Sequence, residues 1–238
     1  MPPRRARRRS PSFGNGLSTD LDRWRFGDGG PGAVWTGRLV PEKAPHLAID
    51  AALAAGKRLR LFGPVHDEDY FANVITPRLG GGIEYVGHWP VDTLAREVSN
   101  AGVAVVTPTW DEPFGLIVAE ALACGTPVAA FDRGAMAELI GPDDGRLARP
   151  GDVESLARAM RAAAGIDRSG CRRSAERRFS VTRMIDEYEH WFERQIARRL
   201  GRRILHLVSG RAADEWVDTI HTIDTIHTIH IVDAAEIG

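Results

Sequence analysis

Four ionisable side chains stand out by type and spacing: Arg38 and Lys43 in "GRLVPEK", and Glu112 and Glu120 in "EPFGLIVAE". Arg38 follows a short apolar run, and Lys43 opens a helical one. Two cations at a strand-to-helix junction, beside a helix N-terminus, suit an anion. Arginine grips a phosphate with two parallel hydrogen bonds, whereas lysine acts as a point charge. The competing reading is a pair of solvated charges, one of them neutralised by Glu42. The two glutamates enclose a Pro-Phe-Gly turn and an apolar helical run. Gly115 lets the backbone approach a ligand closely. The first helical N–H groups, around Phe114 to Ile117, have no intrahelical acceptors and suit a diphosphate or the face of a sugar. Glu112 lies in the loop, where it can accept hydrogen bonds from sugar hydroxyls. Glu120 lies just over one turn into the helix and can accept from a vicinal diol such as a ribose. The alternative makes Glu112 a helix cap and Glu120 a surface charge. Against it, Glu120 is flanked by Ile117, Val118, Ala119, Ala121 and Leu122. A carboxylate in such apolar company usually has a partner.

These groups need a frame that brings strand ends together. Apolar runs predict strands over 33–37, 59–62, 83–86, 103–107 and 127–131. Periodicity predicts helices over 44–55, 69–79, 91–99, 116–123, 135–140, 153–164, 168–178 and 182–200. Pro77 should break the last turn of the second helix. Short strands alternating with helices mean parallel βαβ units. A continuous run such as Val103-Ala104-Val105-Val106 suits a sheet covered on both faces. The fold class is therefore α/β, a single Rossmann-like domain with a doubly wound parallel sheet. Such sheets bind ligands beyond the carboxyl ends of their strands.

Composition removes several function classes. With 31 Lys+Arg against 32 Asp+Glu, there is no global charge argument for nucleic acid. Two distant cysteines, Cys124 and Cys171, argue against a disulfide scaffold or a cysteine zinc site and fit a reducing compartment. No run of ~20 apolar residues suggests a membrane span, and no apolar core follows the basic N-terminus. The expected location is cytoplasmic. Asp67-Glu68-Asp69 has an Asp-x-Asp form that can hold a divalent cation, but its place before an apolar helix favours helix capping. The tail "DTIHTIDTIHTIHIVD" repeats with period three, which fits neither strand nor helix. It reads as low complexity, and His221, His227 and His230 do not by themselves make a metal site.

The segments "GRLVPEKAPHLAI", "EPFGLIVAEALACGTPVAAFDRGAMAEL" and "IDRSGCRRSAERRFSVTRMIDEY" together resemble the C-terminal, donor-binding domain of a retaining family-four glycosyltransferase. That family has the GT-B fold and an E-x7-E signature, matched by Glu112 and Glu120. The resemblance implies a nucleotide-sugar donor, a UDP- or GDP-sugar, and no required metal. It implies that Arg38, Lys43, Gly115 and Leu116 bind the donor diphosphate. Glu112, Phe114 and Gly115 would contact the donor sugar, with Glu112 the catalytic-site carboxylate. Glu120 would hold the ribose, and Gly63, Val86 and His88 would border the base. Sugar transfer would proceed with retention, without a protein nucleophile.

On this basis residues 1–30 are a disordered basic arm and linker remnant, and 31–194 the nucleotide-sugar-binding domain. Residues 195–238 form a basic helix continuation and a low-complexity tail. Only about thirty residues precede the first strand, so an N-terminal acceptor domain is missing and is expected from a partner chain or a longer protein. The arginine-rich "RQIARRLGRRILHLV" suits either weak peripheral membrane contact or, more simply, a solvated helix end. The alternatives to an active donor domain are a nucleotide-sugar binding module and an inactive fragment.

Overall fold

The computed structural model describes residues 19–208. Six parallel strands form one sheet: β1 (Ala33–Thr36), β2 (Leu59–Phe62), β3 (Ile83–Gly87), β4 (Val103–Val106), β5 (Val128–Phe131) and β6 (Gly145–Ala148). Their order is β3-β2-β1-β4-β5-β6. The order reverses between β1 and β4, which is where a doubly wound sheet opens a crevice. The helices are α1 (Pro45–Ala55), α2 (Glu68–Tyr70), α3 (Val91–Ser99), α4 (Leu116–Ala123), α5 (Met136–Leu139), α6 (Val153–Ala163), α7 (Arg168–Phe179) and α8 (Val181–Val208).

The apolar run in β4 behaves as its sequence predicts. Val103 and Val105 face a core with α1 and α6, while Ala104 and Val106 face a second core with α3, α4 and α7. All four are buried, so both faces of the strand are covered.

Three expectations are corrected. The helix over 69–79 is not one helix. After α2 the chain loosens to π spacing over Phe71–Ile75 and then tightens to a 3-10 turn over Thr76–Arg78. Pro77 lies in that turn and has no N–H to continue an α-helix. The strand β6 carries no apolar run, because its pattern is Gly-Arg-Leu-Ala. It is an edge strand, and a Cβ on Gly145 would overlap the Val128 carbonyl oxygen of β5. Glycine there admits the pairing.

The third correction concerns the N-terminal arm. Residues from Thr19 on pack on the domain, with Trp24 buried and Thr19 bridged to Ser180. The cause is two arginines of α7 that sequence alone leaves as surface charge. Arg168 donates to the carbonyls of Gly27, Ser99, Ala101 and Cys124, and Arg172 donates to those of Trp24 and Ala123. Arm residues 1–18 and tail residues 209–238 lie outside the described residues.

The helix α8 runs across the boundary placed at 194/195 without a break. The chain divides into two compact units, Met1–Asp186, which holds the sheet, and Glu187–Gly238. No helix among the described residues is long and apolar enough to cross a membrane.

Candidate functional site

The loops at the carboxyl ends of the strands are tied to one another by backbone hydrogen bonds. Gly37 N–H donates to Phe62 O, Leu39 N–H to Pro64 O, and Gly63 N–H to Gly87 O. Thr109 N–H donates to Glu42 O at 2.9 Å, joining the loop after β4 to that after β1. Ala135 N–H donates to Glu112 O at 2.8 Å, adding the loop after β5. The sheet thus presents one continuous rim.

Close approach on this rim needs glycine at two positions. Gly63 has φ 141°, and a Cβ there would overlap the Gly37 carbonyl oxygen. Gly63→Ala is expected to cost at least about 3 kcal/mol of stability, from backbone strain plus the clash. Chemical denaturation measures this directly. Gly134 has φ 61°, and its missing side chain leaves room for the Glu112 backbone. Gly134 escapes sequence reasoning, although a glycine just past an apolar strand is the signal that could have found it.

Lys43 and Glu112 form a salt bridge, with side chains 26% and 13% exposed. The Lys43 ammonium also lies 5.3 Å from the centre of the Trp110 ring. The partner of Lys43 is therefore Glu112, not the neighbouring Glu42, which is exposed. Glu112 does not cap α4, because no side chain does. Arg38 is exposed and makes no hydrogen bond or ion pair among the described residues. Among the described residues, the carbonyl ends of β1 and β4 thus carry the paired Lys43 and Glu112 beside an unpaired Arg38, with Asp111 held separately by Arg133 at 3.2 Å.

Lys43 sits before a strained step. Ala44 has φ 47° and ψ 51°, and it is the only non-glycine residue at positive φ among those described. This conformation costs a non-glycine residue roughly 1–2 kcal/mol. It turns the chain into α1, which then starts at Pro45. The Thr107 hydroxyl lies 2.8 Å from Lys43 O and 3.1 Å from Ala44 O, and it accepts from Trp35 Nε1 at 3.0 Å.

The helix α4 begins after Gly115, which has φ 60° and ψ 45°. Phe114, Leu116 and Trp110 are exposed around its start. Glu120, in the body of this helix, is half-buried, and its carboxylate makes no hydrogen bond or ion pair among the described residues. Burial alone pushes its carboxyl up to about 7. The described residues supply no donor for this carboxylate, which sits in an apolar surround.

The expected base-side residues are placed less simply. Val86 lies in β3, within the strand its apolar run predicts, and its side chain packs against the core. Its carbonyl accepts from Trp89 Nε1 at 3.0 Å. The Gly63 carbonyl accepts from the Tyr85 hydroxyl at 2.9 Å. His88 is exposed. As for Asp67, it caps α2, accepting from Tyr70 N–H at 2.8 Å.

This is an α/β domain whose sheet carries at its switch point a paired cation, Lys43, and an exposed one, Arg38, without a partner among the described residues. Residues 30–164 match the family model described as "Glycosyl transferases group 1", and the chain belongs to that family. It is 31% identical over 185 residues to the glycogen synthase of Mycobacterium tuberculosis, covering 72% of this chain and 44% of that one. It is 31% identical over 176 residues to an exopolysaccharide phosphotransferase of Streptomyces coelicolor, covering 68% of this chain and 18% of that protein. The structure of AviGT4, a glycosyltransferase involved in avilamycin A biosynthesis, matches with a TM-score of 0.69 and 26% identity. That match covers 76% of this chain and 57% of AviGT4, so the chain spans less than two thirds of each of these relatives.

Proposed function

We propose that this domain binds the donor of a glycosyl transfer, a nucleoside diphosphate sugar, at the carboxyl edge of the sheet. The observation that carries the reading is Glu120, a half-buried carboxylate without a donor among the described residues, in a helix whose N-terminus has no side-chain cap. A ribose diol supplies two hydroxyl donors to such a carboxylate. The diphosphate then lies at the start of α4, near Gly115 and Leu116, and meets Lys43 and Arg38. These fixed cations and the helix N-terminus stabilise the departing diphosphate, so the reading calls on no metal. Glu112 accepts from the donor sugar, with Phe114 and Gly115 beside it. Gly63 and His88 border the base, whereas Val86 contributes only through its backbone.

In this reading the sugar is transferred with retained configuration, and the acceptor is bound by a second domain or a partner chain. Calorimetric titration of the full chain with UDP-glucose and GDP-mannose tests the donor role. Saturable binding of at least one is expected. Absence of binding to both, and to UDP and GDP, would overturn it.

A further inference from the structure

We propose that Thr107 is a positioning residue for the donor diphosphate, acting through the main chain at Lys43; this rests on the donor-site reading above. Thr107 follows β4 and is 1% exposed. A hydroxyl so deeply buried has a defined set of partners, and all of them belong to the frame of the site. The indole N–H of Trp35 donates to its oxygen at 3.0 Å. Trp35 is paired in register with Val105, so Trp35 and Thr107 lie on one face of adjoining strands. With its acceptor side taken by the indole, the hydroxyl proton points to the carbonyls of Lys43 and Ala44, at 2.8 and 3.1 Å.

Those carbonyls flank the one non-glycine residue held at positive φ among the described residues. A strained step persists only where its surroundings over-determine it. Here the Trp35 indole and the Thr107 hydroxyl, through the Lys43 and Ala44 carbonyls, add side-chain contacts to the backbone bonds that Ala44 makes with Val40, Pro41 and Leu47. The consequence falls on Lys43, whose side chain leaves from this step toward Glu112. A relaxed Ala44 would rotate the base of the Lys43 side chain and move its ammonium away from the site. Thr107 touches the site only at the Lys43 and Ala44 main chain, so its effect on the diphosphate passes through Lys43.

The experiment measures UDP and GDP affinity by calorimetry for the full chain and for Thr107→Val, Thr107→Ser, Lys43→Ala and Thr107→Val/Lys43→Ala, with thermal melts alongside. Valine keeps the shape and removes the hydroxyl. A loss of roughly five- to twentyfold is expected for Thr107→Val, near-native affinity for Thr107→Ser, and no added loss for the double variant over Lys43→Ala. A merely structural threonine would lower stability but would weaken binding equally with or without Lys43, and that result overturns the proposal. So does native affinity in Thr107→Val when Lys43→Ala binds weakly. If the wild-type chain binds neither nucleotide, the donor-site reading itself fails and this proposal with it. Should valine prevent folding, Trp35→Phe removes the indole donor and must show the same dependence on Lys43; independence would overturn the proposal.

Discussion

Replacing Glu120 with glutamine is expected to stabilise the fold above neutral pH while weakening donor binding. The folded Glu120 carboxyl sits at about 7, against an ordinary value of 4.5. Between these values the folded chain keeps a proton that the unfolded chain has released. Its contribution to stability therefore falls as pH rises from about 4.5, and the cost is complete above about 7. At about 1.4 kcal/mol per tenfold, a rise from 4.5 to about 7 makes that cost at most about 3.5 kcal/mol. Glutamine removes it, so Glu120→Gln should melt up to about 7–14 °C higher at about pH 8 and nearly unchanged at about pH 4.5. The same variant loses the ionic acceptor of the ribose diol. Hydrogen bonds to a charged group contribute about 1.5–3 kcal/mol, so affinity should fall by about 10- to 100-fold. Opposite signs on stability and binding mark a residue kept for function. The wild-type affinity for UDP-glucose, whose phosphates do not titrate near neutrality, should rise as pH passes about 7, and the glutamine variant should lose that dependence.

Variants at Lys43 and Glu112 are expected to separate the diphosphate from the sugar. In the free chain the two side chains neutralise each other. Lys43→Ala removes the cation and leaves the Glu112 carboxylate, 13% exposed, without its partner. Diphosphate affinity should drop by about 30- to 100-fold, with about 1–3 kcal/mol of stability lost. Glu112→Gln acts the other way on the nucleotide. It frees Lys43 from a competing carboxylate, so UDP or GDP should bind as well as to the wild type, or more tightly. The sugar-dependent gain of a nucleotide sugar over the bare diphosphate should shrink, because its acceptor is weakened. A parallel loss of diphosphate affinity in both variants would show that the two residues do not divide the ligand in this way.

Much of this frame is legible in local pattern. The β4 run reads as a buried strand because both of its faces are apolar. The interruption at Pro77 follows from a missing N–H. Arg38, Lys43, Glu112 and Glu120 are visible as charged residues at predicted strand and helix ends. What local pattern does not carry is pairing across the sheet. The Lys43–Glu112 bridge, the Trp35–Thr107 contact and the Gly134 contact with Glu112 join residues far apart in sequence. Strand β6 and the stapled segment after Thr19 escape for the same reason. Their ordering comes from the Val128–Gly145 register and from Arg168 and Arg172, not from any apolar run of their own.

The most direct measurement is a side-by-side calorimetric titration of the wild-type chain, Glu120→Ala, and Glu84→Ala as a control at the amino-terminal side of β3, with UDP, GDP and their sugars. The account predicts saturable binding by the wild type and by Glu84→Ala, with binding abolished or strongly weakened in Glu120→Ala. Undiminished binding by Glu120→Ala, or no binding by the wild type to any of these nucleotides, would contradict it.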